Sequence, residues 1–451
     1  MTGETAMNRS ARQSTAPRML DRATLDKFLY FGYVPRPMPS RRVFERLTRG
    51  LPVALPDDEN ALIDHAEALL DDIIGDIARQ YADREIVVPI SGGLDSRCIL
   101  AMLMRHRPPE RIHTVTIGTP GTLDFDLGNR VAKWAGTQHV AIDATQVPIT
   151  VDALTEIAAK SDAPLRIMSF FMLHQALQAF PKDHVFLTGF LGGPLAGSHF
   201  PDDKDKTLDL GREYFIAKNR YNKTGVEIAN EEFLFQDIWF YESSVMTPAE
   251  QMDLFIRQRN FILPLFRYGR RKCVHPFTER KWINFWISLD LKHRCGLSLY
   301  KKMIIRSFPE AFSLPVKNNG GYKLTASRVR TLSSVVRRGI QKVSRHFATS
   351  GASHVRPGVN YLDYELAFCS HCDLQEVTTV LLSRIEREEH LQHLEPMRLF
   401  HEHQAGEANH ERALLALLGI GAFLIVQDRN GSRPSMNVRG VQAGDRDDAR
   451  S

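Results

Sequence analysis

The sequence predicts an α/β fold, built on a doubly wound parallel sheet and followed by a mostly helical C-terminal half. Short β-branched runs alternate with helical stretches between residues 61 and 187, a pattern typical of βαβ units with helices on both faces. From about Leu208 onward, apolar residues recur mostly at helical spacing, with breaks that contain proline. These two observations define the fold class.

The elements of the α/β part follow one another in chain order. Apolar residues at helical spacing predict a first helix over residues 61–82, followed by a β-branched run that predicts the first strand. We expect strands over residues 85–90, 112–117, 139–142 and 184–187, and further helices over residues 98–104, 125–135 and 167–180. Each strand is followed by a helix, so the strands are expected to run parallel.

Composition suggests how the chain is divided. We expect a disordered tail at 1–20, a linker at 21–58, the α/β domain at 59–325, a helical region at 326–427 and a second disordered tail at 428–451. Within the helical region, basic and apolar residues interleave over residues 328–346, which predicts a basic amphipathic helix. A solvated surface helix is the simplest interpretation of it, and a membrane surface or an acidic partner are the alternatives.

Bulk composition narrows the class of protein. In 451 residues, 58 Lys and Arg against 53 Asp and Glu give a net charge of +5, less than a dedicated nucleic-acid binder would carry. The longest uncharged apolar run covers residues 413–426, shorter than the roughly 20 residues needed to span a bilayer. Five cysteines and no apolar leader suit a reducing compartment. We therefore expect a cytoplasmic enzyme without a membrane span and without a nucleic-acid partner.

One loop carries a chemical signal. Residues 91–97 read SGGLDSR, between the first predicted strand and the helix after it. Gly92 and Gly93 allow a close approach of the backbone to an anion, and free N–H groups at the start of the helix favour phosphate. The hydroxyls of Ser91 and Ser96 add donors. The loop therefore predicts a phosphate-binding site.

An acidic residue within this loop indicates a metal ion. Asp95 beside phosphate needs a cation to offset its charge, so we expect it to bind Mg²⁺. The sequence contains neither a Walker A motif nor G-x-G-x-x-G here, which argues against a Walker kinase and a dinucleotide binder. The alternative is a plain turn with a helix cap, for which glycine, serine and aspartate are common.

The loop resembles that of a known superfamily, and further segments resemble one of its families. SGGLDS after a strand is similar to the pyrophosphate loop of ATP pyrophosphatases, which cleave ATP to AMP and pyrophosphate. The further segments resemble asparagine synthetases: FGYVP at 31–35 with LP at 51–52, TIGTPGTLD at 116–124 with GTQH at 136–139, VHPF at 274–277, KMIIR at 302–306 and LPVK at 314–317. The resemblance covers about residues 25–325. It implies an adenine nucleotide alpha hydrolase-like fold.

The resemblance implies an activity. In that family a substrate carboxylate attacks the α-phosphate of ATP, pyrophosphate leaves, and an amine then displaces AMP to form an amide. It implies contacts with ATP by Ser91, Gly92, Gly93, Asp95, Ser96, Ile117, Thr188 and Gly189. Asp95 would hold Mg²⁺, and Ile117 would meet the adenine. Lys317 and Lys302 would be catalytic, with solvated lysines as the alternative at both positions.

The sequence departs from the family pattern at its start. Asparagine synthetases begin with a catalytic cysteine on a glutaminase domain, whereas this sequence begins Met1-Thr2 and has Cys98 as its first cysteine. Residues 21–58 would then be a remnant of the end of that domain. We therefore expect the nitrogen to come from free ammonia, a separate glutaminase or an amine-bearing substrate.

A second departure affects the metal site. The family segment SGxGxDExxGGY supplies a second metal-binding aspartate and an active-site glutamate, and residues 188–199 correspond to it. Aligned on Thr188, the glutamate positions become Phe190 and Pro194, and the aspartate becomes Gly193. Losing one metal ligand should weaken ion binding, unless another carboxylate compensates. The candidates for that are Asp124, Asp126 and Asp162.

Three alternatives stay open. A non-catalytic, nucleotide-binding partner protein would fit the missing carboxylates. A tRNA thiolase would share the loop but needs paired cysteines, and the sequence has one CxxC, Cys369 and Cys372, in a predicted helical region. The same pair could begin a zinc site, with ligand candidates at His390, His393, His401 and His403. A homodimer is an assembly that the sequence allows.

Overall fold

The computed structural model describes residues 20–200, 211–222, 234–267, 271–325 and 355–431. Its centre is a five-stranded sheet in which every neighbouring pair of strands is parallel. The strands are β1 (Ile86–Pro89), β2 (Ile112–Gly118), β3 (Gln138–Asp143), β4 (Val185–Leu187) and β5 (Lys272–Val274). Their order across the sheet is β3-β2-β1-β4-β5. The predicted doubly wound parallel sheet is confirmed.

Helices surround the sheet and make up most of the rest of the described chain. In the first half they are α1 (Arg22–Phe31), α2 (Arg41–Thr48), α3 (Glu59–Gln80), α4 (Asp95–Leu103), α5 (Leu123–Ala135), α6 (Val151–Ala158), α7 (Ile167–Gln178), α8 (Gly192–Leu195) and α9 (Arg212–Asn219). Next come α10 (Pro248–Met252), a π-helix (Asp253–Ile262), α11 (Leu263–Arg267), α12 (Arg280–Ser288), α13 (Leu291–Arg294), α14 (Ser298–Ser307) and α15 (Pro309–Ser313). The last are α16 (Tyr364–Ser370), α17 (Cys372–Glu386), α18 (Pro396–Gln404) and α19 (Glu411–Gly431).

Local sequence explains why the predicted elements form where they do. The helix expected over residues 61–82 is α3, and it begins where the Asp58 carboxylate accepts the backbone N–H of Ala61 at 2.8 Å. The helix expected over residues 125–135 is α5, which ends at Gly136 with a left-handed φ of 68°. Strand β5 was not predicted and lies in the half expected to be mostly helical. Its three residues are too few to show the alternation of a strand.

Packing joins the helices to both faces of the sheet. On one face, Ile86 and Val88 belong to a buried core with residues of α3, α4 and α14. On the other face, Val87 packs with residues of α7. A separate helical core combines α1, α6 and α7 with α16 to α19, and the apolar run 413–426 lies buried in α19. The C-terminal helices α16 to α19 therefore pack against α1, α6 and α7, and α7 in turn packs on the sheet.

Two predicted segments lie wholly or partly outside the described residues, and a helix extends into a third. Residues 1–19 of the predicted N-terminal tail and all of the predicted basic helix 328–346 lie outside the described residues. Helix α19 runs to Gly431 and so includes the first four residues of the predicted tail 428–451. Among the described helices, we find none with the length and apolar character needed to cross a bilayer.

The strand order determines where a ligand can bind. The chain enters the sheet at its middle strand, β1, extends to β2 and β3 on one side, and then crosses to β4 and β5 on the other. In open parallel sheets, ligands bind outside the carboxyl ends of the strands at the point where the direction of winding reverses. Here that point lies between the loops that follow β1 and β4.

Candidate active site

The loop after β1, residues 90–94, leads directly into α4. The Gly93 N–H donates to the Ser91 hydroxyl at 3.3 Å, which folds the loop back on itself. No side chain caps the N-terminus of α4, so its first N–H groups keep their capacity to bind an anion. The Ser96 hydroxyl is buried and has no hydrogen-bond partner in the described chain. An unpaired buried hydroxyl at an uncapped helix start fits a phosphate ligand.

The loop after β4 lies against the same helix start. A Cβ on Gly189 would stand 2.8 Å from the Cβ of Asp95 and 3.0 Å from the Ser96 nitrogen, so only glycine allows this approach. The Gly193 N–H donates to the Asp95 carboxylate at 2.9 Å. The Thr188 hydroxyl is 2.6 Å from the His275 Nδ1 atom. The structure therefore brings Thr188 and Gly189 to the first loop.

Asp95 has an unusual environment for a carboxylate. Burial raises its pKa to about 6, although the Gly193 N–H, the Tyr300 hydroxyl and the positive charge of His199 each oppose that rise. Tyr300 comes from α14 and is fully buried, with no hydrogen bond of good geometry in the described chain. Because the charged form of Asp95 is disfavoured, a cation that binds beside it would gain from neutralising it.

Gly193, the residue of the second departure, lies beside Asp95. A Cβ built on Gly193 would lie 3.3 Å from Asp95 Oδ2, so a carboxylate on residue 193 would stand directly beside Asp95. Phe190 instead packs its ring against those of Phe266 and His275. Pro194 lies in the wall of the neighbouring cavity. Within the described ranges, no group of three or more potential metal-binding side chains is present.

The three carboxylates that could compensate for the missing metal ligand have partners other than Asp95. Asp124 pairs with Lys317. Asp126 accepts the Gly121 N–H at 3.0 Å, and Asp162 is paired with Arg36 at the surface, at 3.4 Å. Asp124 is the one of the three that the structure ties to the loop after β1, because its partner Lys317 hydrogen-bonds to that loop.

Lys317 is held against the first loop by both its backbone and its side chain. Its N–H donates to the Gly92 carbonyl at 2.8 Å. Its ammonium group donates to Asp124 and to Asn360, which belongs to the segment before α16. With about a quarter of its side chain exposed, it can reach a ligand in the loop. The structure therefore brings together Lys317 and the loop, which are far apart in sequence.

Arg97 is a residue whose importance the sequence reasoning missed. It is fully buried, and its guanidinium donates to the carbonyl oxygens of Ala311, Leu314 and Pro315, at 3.2, 3.2 and 2.8 Å. These carbonyls precede Lys317, so Arg97 ties the first turn of α4 to the lysine segment. An arginine inside an otherwise apolar helix, directly after SGGLDS, was the available signal.

Lys302 lies elsewhere. Its ammonium group forms an ion pair with Glu59, at 2.7 Å, at the start of α3, and its side chain is 49% exposed. The side chain that α14 turns toward Asp95 is Tyr300, two residues earlier. Two residues correspond to about 200° around a helix, which explains why only one of them can face the site.

Ile117 and a neighbouring cavity complete the surroundings. Ile117 lies near the carboxyl end of β2, partly buried beside its β3 partner Ile142. On the other side of the first loop, a cavity of about 290 Å³ opens beside β1 and β4. Its walls include Pro89, Thr188, Gly189, Phe190, Pro194, His199, Arg257, Gln258 and Phe266. The structure thus leaves space next to the predicted phosphate site.

His199, in the wall of this cavity, is paired with an aspartate. His199 Nδ1 is 2.8 Å from Asp253 Oδ2, and Gln258 also donates to Asp253. Burial raises the pKa of Asp253, but the hydrogen bond and charge of His199 outweigh burial and leave it below its usual value. The pair was not found in the sequence because its members are separated along the chain and share no motif.

The cysteine pair shows no metal-binding arrangement. Cys369 and Cys372 are both exposed thiols on the helical layer. His403, one of the candidate zinc ligands, instead forms hydrogen bonds with the Glu365 carbonyl and with the His410 N–H. Over the described part of the chain, these contacts favour cysteines without a metal role.

Comparison of the sequence with known proteins finds a family model and several relatives. Residues 66–219 match the family model "Asparagine synthase". A probable asparagine synthetase of Acanthamoeba polyphaga mimivirus is 34% identical over 79 residues, which cover 18% of this chain and 14% of that protein. Asparagine synthetase 2 of Arabidopsis thaliana is 34% identical over 89 residues, covering 18% of this chain and 15% of that protein.

A third relative matches over a longer segment. A putative asparagine synthetase of Mycobacterium tuberculosis is 28% identical over 186 residues, which are 35% of this chain and 28% of that protein. The three relatives are described as glutamine-hydrolysing. The matched segments span less than a third of the length of each.

Proposed function

From the asparagine synthase domain that the chain carries at residues 66–219, we propose that the protein is an ATP-dependent, AMP-forming amide ligase. It adenylates a carboxylate and transfers ammonia or an amine to it. The observation that carries the proposal is the meeting of three features at one point: the uncapped start of α4, the unpaired Ser96 hydroxyl and the docked Lys317. This arrangement suits a triphosphate whose charge must be held during attack by another anion.

Each part of the loop then has a role. The N–H groups of Gly92 and Gly93, with the hydroxyls of Ser91 and Ser96, hold the pyrophosphate portion of ATP. The carboxylate oxygen of the acceptor attacks the α-phosphorus, and the bond to pyrophosphate breaks. Lys317 stabilises the negative charge that develops on the phosphate oxygens. Ile117, at the end of β2, contacts the adenine.

The residues present fit one Mg²⁺ ion bound with ATP. Mg²⁺ in such sites often uses one or two carboxylates together with substrate phosphates, so Asp95 can serve without a carboxylate at Gly193. With its pKa raised to about 6, Asp95 is largely ionised at neutral pH and able to bind a cation. When bound, the ion would neutralise phosphate charge.

The amide-forming step needs a base, and Phe190 leaves none on the second loop. When His199 is neutral and its Nδ1–H donates to Asp253, its Nε2 atom carries the free electron pair and can accept a proton from the attacking amine. Once protonated, His199 carries the positive charge that lowers the pKa of Asp95 and of Asp253. The amine nitrogen bonds to the acyl carbon, AMP leaves, and the proton rests on His199. We propose that the amine comes as free ammonia, from a separate glutaminase or on an amine-bearing substrate.

Product analysis tests the proposal. The protein is incubated with ATP, Mg²⁺, ammonia and a panel of carboxylic acids, and the nucleotides are separated by chromatography. AMP and pyrophosphate should form only when a suitable acid is present, and Asp95→Asn should abolish them. Lys302→Gln, which changes an exposed lysine away from the loop, is the matched control and should remain active. Formation of ADP would contradict the proposal.

A second function is favoured by one observation, the glycine beside Asp95. A protein with one carboxylate at this point could bind ATP without turning it over and act as a nucleotide-dependent partner. ATP binding by calorimetry, combined with no AMP from any acid or amine, would support this function instead.

A further inference from the structure

Three cavities adjoin one another on the side of the site away from β2. The loop cavity, described above, faces Thr188 and Gly189. A middle cavity of about 140 Å³ shares Pro194, His199 and Arg257 with it. A basic cavity of about 280 Å³ shares Arg257 with both and Lys218 with the middle cavity. The middle cavity therefore connects the nucleotide loop to the basic cavity.

The basic cavity holds an excess of positive charge. Among the described residues, its walls contain Arg166, Lys218, Arg220, Arg257 and Arg412 and one carboxylate, that of Glu411. That carboxylate also pairs with Arg356, at 3.0 Å, which is outside the cavity wall. Arg257 also pairs with Asp253, at 3.7 Å, which is outside this wall. Positive side chains gathered in a concave site with so little opposite charge repel one another, and an anion would relieve the repulsion.

The effect of this crowding is visible at Arg166. Its guanidinium donates to the carbonyls of Phe31 and Gly32 and lies over the ring of Tyr221, 3.9 Å from the ring centre. Burial, with smaller effects from the positive charges of Arg257 and Arg412, lowers the pKa of Arg166 to about 10 against the opposing effect of Tyr221 and Tyr33. The structure thus fixes a cation in place beside two others.

The middle cavity has a different character. Its walls include the rings of Phe200, Tyr214 and Phe215, with Ala249 and Leu254. Arg257, which reaches all three cavities, lies on the π-helix. π-helical turns occur frequently at functional sites, because the wider turn shifts side chains out of the usual helical register. The middle cavity also has in its wall the carboxylates of Asp253 and of Glu250, which pairs with Arg294. The loop cavity and the middle cavity are thus both mostly apolar, and the third cavity is the cationic end.

Resting on the proposed function, we propose that the acceptor is an elongated molecule with two anionic ends. Its reacting carboxylate lies in the loop cavity beside the nucleotide, an apolar middle part lies in the middle cavity, and a second carboxylate or a phosphate binds in the basic cavity. Arg412 and Lys218 bind the distal anion, and Arg257 aligns the chain between the two ends. The basic cavity thereby selects the acceptor.

Calorimetry with defined probes tests this without nucleotide. The full chain is titrated at constant ionic strength with suberate, 8-phosphonooctanoate, octanoate and succinate. We expect one of the first two probes to bind at least about tenfold more tightly than octanoate or succinate, since a charged hydrogen bond contributes about that factor. The stronger of the two identifies the distal anion as carboxylate or phosphate. If neither suberate nor 8-phosphonooctanoate binds more tightly than octanoate, or if no probe binds, the proposal is overturned.

A matched pair of variants locates the binding. Arg412 and Arg429 both lie on α19 and both have exposed side chains, but only Arg412 lines the basic cavity. Arg412→Gln should remove the preference for the doubly anionic probe, whereas Arg429→Gln should keep it. Equal loss in both variants would indicate a general charge effect and overturn the proposal. ATP binding, measured separately, reports on the proposed function, so the two failures are distinguishable.

Discussion

Asp95→Asn should make the folded protein more stable at neutral pH while it removes activity. Folding places the Asp95 carboxylate in a site that raises its pKa from 3.8 to about 6. The folded state therefore holds this proton more tightly than the unfolded state does. Asparagine is uncharged, of the same shape, and can still accept the Gly193 N–H, so the substitution removes the cost of burying the charge.

The size of the effect follows from the pKa difference. A rise of about two units, at 1.36 kcal/mol per unit, corresponds to roughly 3 kcal/mol. Because Asp95 keeps some exposure to solvent, we expect about 2–3 kcal/mol. Between pH 3.8 and 6 the folded state holds a proton that the unfolded state has released, so stability falls as pH rises. The penalty is complete above pH 6 and absent below pH 3.8.

Urea unfolding at two pH values measures this gain. Asp95→Asn should raise the free energy of unfolding by about 2–3 kcal/mol at pH 8 and by roughly half that at pH 5. Asp126→Asn is the control, because the exposed Asp126 also accepts a backbone N–H, and it should change stability by no more than about 0.5 kcal/mol. A variant that is less stable than the wild type at pH 8, or a gain that does not depend on pH, would refute the reasoning.

Two further predictions concern side chains around the loop. Lys317→Gln should lower kcat for AMP formation by about 100-fold or more, with ATP affinity nearly kept, because the lysine acts on charge that develops during attack. Lys302→Gln should leave kcat and ATP affinity within about twofold of the wild type. Steady-state kinetics measure both variants, and an equal fall in kcat for the two would contradict the assignment of Lys317. Arg97→Leu should lower the free energy of unfolding by about 3–5 kcal/mol, because one buried and two partly buried carbonyls lose their charged donor. A urea-unfolding loss under 1 kcal/mol would argue against that role.

Much of the α/β domain could be predicted because its signals are local. The helix α3, the strand β2 and the loop at residues 91–97 depend on side-chain periodicity and on glycines within a few residues of one another. The absence of carboxylates at Phe190 and Gly193 could also be read from the order of residues. Strand β5 could not, since three residues carry too little pattern to distinguish a strand from a turn.

Contacts between distant residues depended on packing. Both Lys302 and Lys317 belong to family-like segments, yet only Lys317 docks on the loop, because Arg97 anchors the residues before it. On α14, helical geometry turns Tyr300 toward Asp95 and leaves Lys302 at the surface. A residue type in a motif suggests a role, but its reach is decided by the elements that pack around it.

By itself, the sequence determined the parallel α/β architecture and the glycine-rich loop after β1, and it showed glycine rather than an acid at residue 193, since each is encoded in neighbouring residues. The tertiary structure decided which charges meet: His199 with Asp253, and the cations of the basic cavity, which come from the segment before α7, from the end of α9, from the π-helix and from α19. Their electrostatic effect depends on separations of a few ångströms, and folding brings together residues that lie hundreds of positions apart.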